Sequence, residues 1–225
     1  MKGLILCGGK GTRMRPITYA VPKQMIPVAN KPVIHYAIEA MREVGIRELG
    51  IVVSDNRKDI EPCLGDGSDW GMTFSYVDQP ETKGIAHAVL CAEEFVGGDD
   101  FLLYLGDNLL EHGLGQLADE YRNSGAESVI VLKEVPDPVH FGVAVVENGM
   151  IVDIEEKPKE PKSNLAVIGV YIFNSKVFDA ARRVKPSWRG ELEITDTIEE
   201  LVKAGCKASP YVRSEEHTSE LQSLS

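Results

Sequence analysis

The sequence predicts an α/β fold built on a doubly wound, mostly parallel sheet. Three observations carry that prediction. Short, near-continuous apolar runs alternate with segments of helical spacing along most of the chain, which is how strands buried on both faces and their covering helices read. One Asn-Gly pair, Asn148-Gly149, sits between two apolar runs and signals an antiparallel hairpin, so the sheet is expected to be mixed. No Pro- or Gly-rich linker and no internal repeat divides the chain, which points to a single domain.

In chain order, strands are expected at residues 3–7, 49–53, 73–77, 101–105, 128–132 and 166–173, with the hairpin arms at 141–146 and 151–155. Helices are expected at 33–44, 85–95, 114–122, 175–183 and 194–204. Among the 225 residues, 43% are hydrophobic and 26% charged, an ordinary globular composition with ample apolar surface for a core. The net charge of −11 argues against nucleic acid as a partner of the surface as a whole. No apolar run reaches the ~18 residues that span a bilayer, and Met1-Lys2 leads into a strand rather than a signal peptide. The four cysteines stand far apart with no CxxC pair, which argues against a disulfide framework or a zinc site. A cytoplasmic protein without membrane partners is the expectation.

The first strand runs into Cys7-Gly8-Gly9-Lys10-Gly11-Thr12-Arg13-Met14-Arg15-Pro16. Closely spaced glycines let a backbone approach an anion and turn its N–H groups inward, and in doubly wound sheets ligands bind beyond the carboxyl ends of strands. The spacing is neither that of a Walker loop nor GxGxxG, and a tight strand-to-helix turn explains the glycines equally well. A second basic segment, Pro22-Lys23-Gln24-Met25-Ile26-Pro27, is expected to be held extended by its prolines, with Lys23 on a stiff loop. Asp107 closes the run at 101–105 after Gly106. Its carboxylate is either a ligand at the sheet's carboxyl edge or a helix cap. Glu155-Glu156-Lys157-Pro158 by itself reads as a charged turn, and His87 as a helix-face histidine.

LCGGKGTRMRPIT followed by PKQMIPVANKPVI resembles the signature of the sugar-1-phosphate nucleotidyltransferases. The likeness continues through Gln79-Pro80, Gly84-Ile85-Ala86-His87-Ala88, Leu105-Gly106-Asp107-Asn108, Phe141-Gly142-Val143, Glu155-Glu156-Lys157-Pro158 and Gly190-Glu191-Leu192-Glu193-Ile194-Thr195-Asp196. It implies a Rossmann-like, mostly parallel mixed sheet of the nucleotide-diphospho-sugar transferase type. It also implies transfer of a nucleoside monophosphate from a triphosphate (dTTP, or alternatively UTP) to a hexose 1-phosphate, with release of pyrophosphate and with Mg²⁺ as cofactor. Glucose 1-phosphate is the expected acceptor, N-acetylglucosamine 1-phosphate the alternative.

By the same resemblance Gly8, Gly9, Gly11, Thr12, Arg13, Lys23, Gln79 and Gly84 bind the nucleotide. Arg13 and Lys23 act on the triphosphate, and Gln79 and Gly84 read the pyrimidine edge, where an amide offers both a donor and an acceptor. Arg13, Lys23 and Asp107 are the implied catalytic residues. Asn108, Gly142, Glu156, Lys157 and Val167 bind the sugar phosphate, and Asp107 and Asp196 hold the metal. A non-catalytic nucleotide-sugar-binding homologue would be expected to lose these charged residues, and all are present. A homo-oligomer is compatible with the resemblance.

The resemblance covers residues 1–212, expected to be a catalytic domain, and in its longer members a β-helical domain follows. Residues 213–225 read RSEEHTSELQSLS, a string obtained by translating a common sequencing adapter. They are expected to be disordered and to make no core contact.

Overall fold

The computed structural model describes residues 1–9, 11–110, 113–213 and 218–220. The strands are β1 (Lys2–Leu6), β2 (Pro27–Val28), β3 (Lys31–Pro32), β4 (Glu48–Val53), β5 (Thr73–Asp78), β6 (Phe101–Leu105), β7 (Asn108–Leu110), β8 (Ser128–Glu134), β9 (Gly142–Glu147), β10 (Met150–Glu156), β11 (Leu165–Phe173), β12 (Ala208–Arg213) and β13 (Thr218–Glu220). The helices are α1 (Val33–Glu43), α2 (Arg57–Leu64), α3 (Ile85–Cys91), α4 (Glu93–Val96), α5 (Gly115–Ser124), α6 (Lys176–Arg183) and α7 (Ile194–Lys203).

Nine of the described strands form one mixed sheet. Its path runs β10-β9-β11-β6-β1-β4-β5, with β8 beside β11 and β12 beside β8. β5, β4, β1 and β6 are parallel neighbours, and β11 lies antiparallel against β6. Alternate residues of β1 explain why both faces need cover. Leu4 and Leu6 pack with Val89, Phe178 and Ile198 of α3, α6 and α7, while Ile5 and Cys7 pack with Ile38, Ile60 and Leu117 of α1, α2 and α5. The result is three layers, helix on sheet on helix, as the unbroken apolar runs require.

The order β5-β4-β1-β6 makes the chain leave β1 toward one edge and return to its other side. The carboxyl ends of β1 and β6 therefore flank a topological switch point, where a crevice opens in this class of sheet. The hairpin forms as expected: Met150 pairs with Glu147, and Asn148 and Gly149 take φ of 50° and 75°, the two positive angles of a type I′ turn.

Several local expectations are corrected. Lys23–Met25 is one 3₁₀ turn, with extended backbone only at Pro22 and Ile26 on either side. The helix expected over 85–95 is two, α3 and α4, separated at Ala92. Arg213 is not in a disordered tail. It is the last residue of β12, is buried, and donates from Nη2 to the Gly113 carbonyl at 2.8 Å. Thr218–Glu220 also pairs, antiparallel, with β7. The expectation of disorder for 214–217 and 221–225 lies outside the described residues.

Candidate active site

The glycine loop starts from a firmly held point. The Cys7 amide donates to the Val52 carbonyl at 2.8 Å, continuing the β1–β4 ladder one residue past the strand. The Cys7 carbonyl accepts from Gln24 Nε2 at 3.0 Å and from Asn56 Nδ2 at 2.7 Å. Two side chains from distant segments thus fix the atom at which the chain turns into Gly8 and Gly9. Gly11, with φ of 55°, then precedes the 3₁₀ turn Thr12–Met14. Lys10 and the side chain of Arg13 lie outside the described residues.

A cavity of about 250 Å³ opens above this point, lined by Gly8, Gly9, Lys23, Gln79, Gly84 and Asp107 among others. The structure thus brings together five residues expected at the nucleotide, and with them Asp107, expected at the metal, from five segments of the chain, while Gly11 and Thr12 stand outside the lining. Lys23 Nζ meets Asp107 Oδ2 at 2.5 Å across this cavity, and Asp107 is only 7% exposed. Gln79 directly follows β5, its amide donating to the Val53 carbonyl at 2.7 Å. Gly84 takes φ of 101°, and a Cβ there would fall 2.5 Å from the Leu192 carbonyl oxygen, so only glycine fits. The close approach is itself bonded: Leu192 N donates to Lys83 O, and Ala86 N to Leu192 O. The segment before α7 is thereby stitched to the loop that carries Gly84.

A second cavity, of about 240 Å³, adjoins the first and shares Ile85 and Leu105 with it. All five residues expected at the sugar phosphate line it: Asn108, Gly142, Glu156, Lys157 and Val167. Asp107 and Asn108 stand on opposite sides of the shared wall, one in each cavity. Asn108 is anchored by its Nδ2, which donates to the Ile168 carbonyl at 2.5 Å. Lys157 takes φ of 46°, a left-handed conformation that costs a non-glycine residue roughly 1–3 kcal/mol, and its amide donates to Phe141 O at 2.9 Å. That bond carries the β9–β10 pairing past Glu156 and turns Lys157 into the cavity.

Three residues that line this cavity had no role from the sequence: Arg189, Glu193 and Thr195. Arg189 Nη2 contacts Glu191 Oε2 at 2.6 Å and Glu193 Oε2 at 3.1 Å. Ser187 Oγ also donates to Glu193 Oε1 at 2.8 Å. Thr195 Oγ1 donates to Glu156 Oε2 at 3.1 Å. Burial pushes the Glu156 carboxyl above its ordinary range and the Glu193 charge adds to this, while Thr195, Lys157 and Arg189 oppose it. The available signal was Arg189 itself, a cation one residue ahead of the recognised Gly190 motif.

Asp196 lies in the first turn of α7 and is absent from the lining of both cavities. Burial raises its pKa and the carboxylates of Glu193 and Glu199 raise it further, while Lys203 opposes them. Among the described residues no three His, Cys, Asp or Glu converge as a metal set. Asp107 offers hard carboxylate oxygens at the cavity wall. That fits an ion of the Mg²⁺ kind, which takes one or two carboxylates and completes its shell with phosphate and water oxygens.

A glycine-edged cavity at the switch point thus adjoins a second cavity lined by two cations, Lys157 and Arg189, and two carboxylates, Glu156 and Glu193. The nucleotidyl transferase family profile matches residues 2–217, and the chain belongs to that family. It is 48% identical over 214 residues to the low-salt glycan biosynthesis nucleotidyltransferase Agl11 of Haloferax volcanii, covering 94% of this chain and 60% of that protein. It is 47% identical to a glucose-1-phosphate thymidylyltransferase of Streptomyces griseus, covering 91% of this chain and 58% of that one. The chain therefore spans about three fifths of the length of these relatives. Among solved structures, a Bacillus anthracis protein assigned as a glucose-1-phosphate thymidylyltransferase, in complex with sucrose, superposes with a TM-score of 0.87 at 40% identity, covering 95% of this chain and 87% of that one. A UDP-glucose pyrophosphorylase complexed with UDP-glucose gives 0.83 at 32% identity, covering 94% and 90%.

Proposed function

We propose that the protein transfers a thymidylyl group from dTTP to glucose 1-phosphate, releasing pyrophosphate and forming dTDP-glucose. The observation that carries this reading is the pair of adjoining cavities that meet at Asp107 and Asn108. In the first, Gly8 and Gly9 give the triphosphate close backbone approach and Lys23 neutralises its charge, a role the sequence motif extends to Arg13. In the second, Lys157 and Arg189 hold the phosphate of the sugar, and Glu156 accepts hydrogen bonds from sugar hydroxyls. An oxygen of the sugar phosphate then bonds to the α-phosphorus from one side as the bond to the pyrophosphate oxygen breaks on the other. No covalent enzyme intermediate is required, so the residues act by positioning and by charge neutralisation.

Asp107 is the proposed carboxylate for Mg²⁺ beside the triphosphate, with Asp196 as the second ligand; when bound, the ion supplies charge neutralisation on the phosphates. The similarity to a structure holding UDP-glucose favours a second reading, uridylyl transfer, which differs by one methyl group on the base. The test is pyrophosphate release by the purified chain with glucose 1-phosphate and each of dTTP, UTP, ATP, CTP and GTP, with and without Mg²⁺. Release with dTTP at the highest kcat/KM supports the first reading, and release with UTP at the highest supports the second. Release with none of them overturns both.

A further inference from the structure

His87 takes part in the nucleotide cavity through Gln79. Gln79 is 4% exposed, and its Nε2 lies 3.2 Å from the Gly84 carbonyl oxygen and 3.1 Å from His87 Nδ1. A carbonyl oxygen only accepts, so the amide must turn its NH₂ toward Gly84. An NH₂ group only donates, so Nδ1 of His87 is the acceptor and the ring proton sits on Nε2. Both hydrogens of Nε2 are then committed. Oε1 points the opposite way, toward Gly8, where a Cβ would sit 2.6 Å from it. No described residue donates to Oε1, and Gln79 and Gly8 both line the cavity.

We propose that His87 is a positioning residue for base selection. With the Gly84 carbonyl it locks the Gln79 carboxamide so that Oε1 faces the cavity. The site then accepts a pyrimidine whose ring N3 carries hydrogen, thymine or uracil, and rejects cytosine, whose N3 lone pair would oppose Oε1. Flipping the amide to suit cytosine would set Oε1 against the Gly84 oxygen. This inference rests on the proposed nucleotidyl transfer for the identity of the cavity's ligand.

The experiment compares wild type with His87→Leu, which cannot accept, and His87→Asn, whose Oδ1 can stand where Nδ1 stood. kcat/KM is measured for dTTP and dCTP with glucose 1-phosphate, and affinities for dTDP and dCDP by calorimetry. In wild type the thymine nucleotide is preferred. His87→Leu lowers that preference about tenfold, the equivalent of about 1.4 kcal/mol, because a nearly buried donor loses its partner and the amide is freed. The loss falls on the KM for the triphosphate, with the KM for glucose 1-phosphate within about twofold, and His87→Asn restores the preference. Should the leucine variant not fold, His87→Ala is measured in its place. A preference unchanged within about twofold in the leucine or alanine variant overturns the proposal, as does a wild type indifferent to the base. Selective binding of dTDP that depends on His87, without pyrophosphate release, upholds the role of His87 and overturns the transfer reaction instead.

Discussion

Asp107 meets Lys23 at 2.5 Å over a cavity edged by Gly8 and Gly9, so its charge lies where triphosphate and metal charges would have to be balanced. Asp107→Asn keeps the shape and removes the charge. Pyrophosphate release is expected to fall by roughly 10²–10³-fold in kcat/KM, as for other losses of one electrostatic contact to a transition state. The melting temperature should stay within about 4 °C, equivalent to about 1 kcal/mol in a domain of this size. Near-normal turnover at saturating Mg²⁺ would remove Asp107 from the mechanism. Glu156 makes a prediction of the opposite kind. Its carboxyl is raised by burial and by Glu193, against the opposing Lys157, Arg189 and Thr195. Between its unfolded and its raised folded pKa the native state binds more protons, so stability is lost as pH rises through that window. Glu156→Gln is therefore expected to melt higher than wild type at pH 7–8 while losing use of the sugar phosphate, and the gain should vanish near pH 3, below the unfolded pKa, where the wild-type carboxyl is protonated in both states. A melting curve no higher than wild type at neutral pH would show that burial of Glu156 carries no penalty.

Elements meet most tightly where β9 passes α7. A Cβ at Gly142 would fall 2.4 Å from Thr195 Cγ2 and 3.3 Å from Glu156 Oε2. Thr195 is buried at the start of α7 and β-branched, so it has little rotamer freedom with which to yield. Gly142→Ala is expected to destabilise by about 1–3 kcal/mol, as overpacking does, and to raise the KM for the sugar phosphate through displacement of Glu156. Unchanged urea midpoint and KM would contradict this contact. At the same scale the sequence was uneven. Apolar runs marked the strands of the central sheet to within a residue or two, because burial on both faces leaves nothing polar to blur them. α2 and β12 escaped notice, since Pro62 and Pro210 contradict each element's usual composition. β12 tolerates its proline as an edge strand, paired with β8 alone among the described strands, and α2 is short. The 3₁₀ turn at Lys23–Met25 was missed for another reason: prolines restrict only themselves and the residue before them.

The whole molecule is held by two apolar clusters, one on each face of the sheet, and β12 with its buried Arg213 belongs to that body. Beyond it, Thr218–Glu220 forms a short antiparallel pair with β7. A two-stranded pair so short adds little, so removing residues 214–225 is expected to shift the melting temperature by less than about 4 °C, or about 1 kcal/mol. Removing Arg213 as well should cost visibly more, because the Gly113 carbonyl then loses its donor. Equal melting temperatures for the two truncations would show that the ordered body ends before Arg213. By itself the sequence determined the alternation of strand and helix, the hairpin at Asn148-Gly149, the glycine loop after the first strand and, through its motifs, most of the residues now found around two cavities. These are local properties, written in periodicity, turn chemistry and short strings. Only the tertiary structure decided which residues meet. Lys23 reaches Asp107 across 84 positions, and Thr195 reaches Glu156 across 39. Arg189 enters the second cavity, Asp196 stays outside its lining, and His87 turns to Gln79. Strand order and crossover connections set such meetings, and side chains brought together by a sheet's switch point share no spacing along the chain that could announce them.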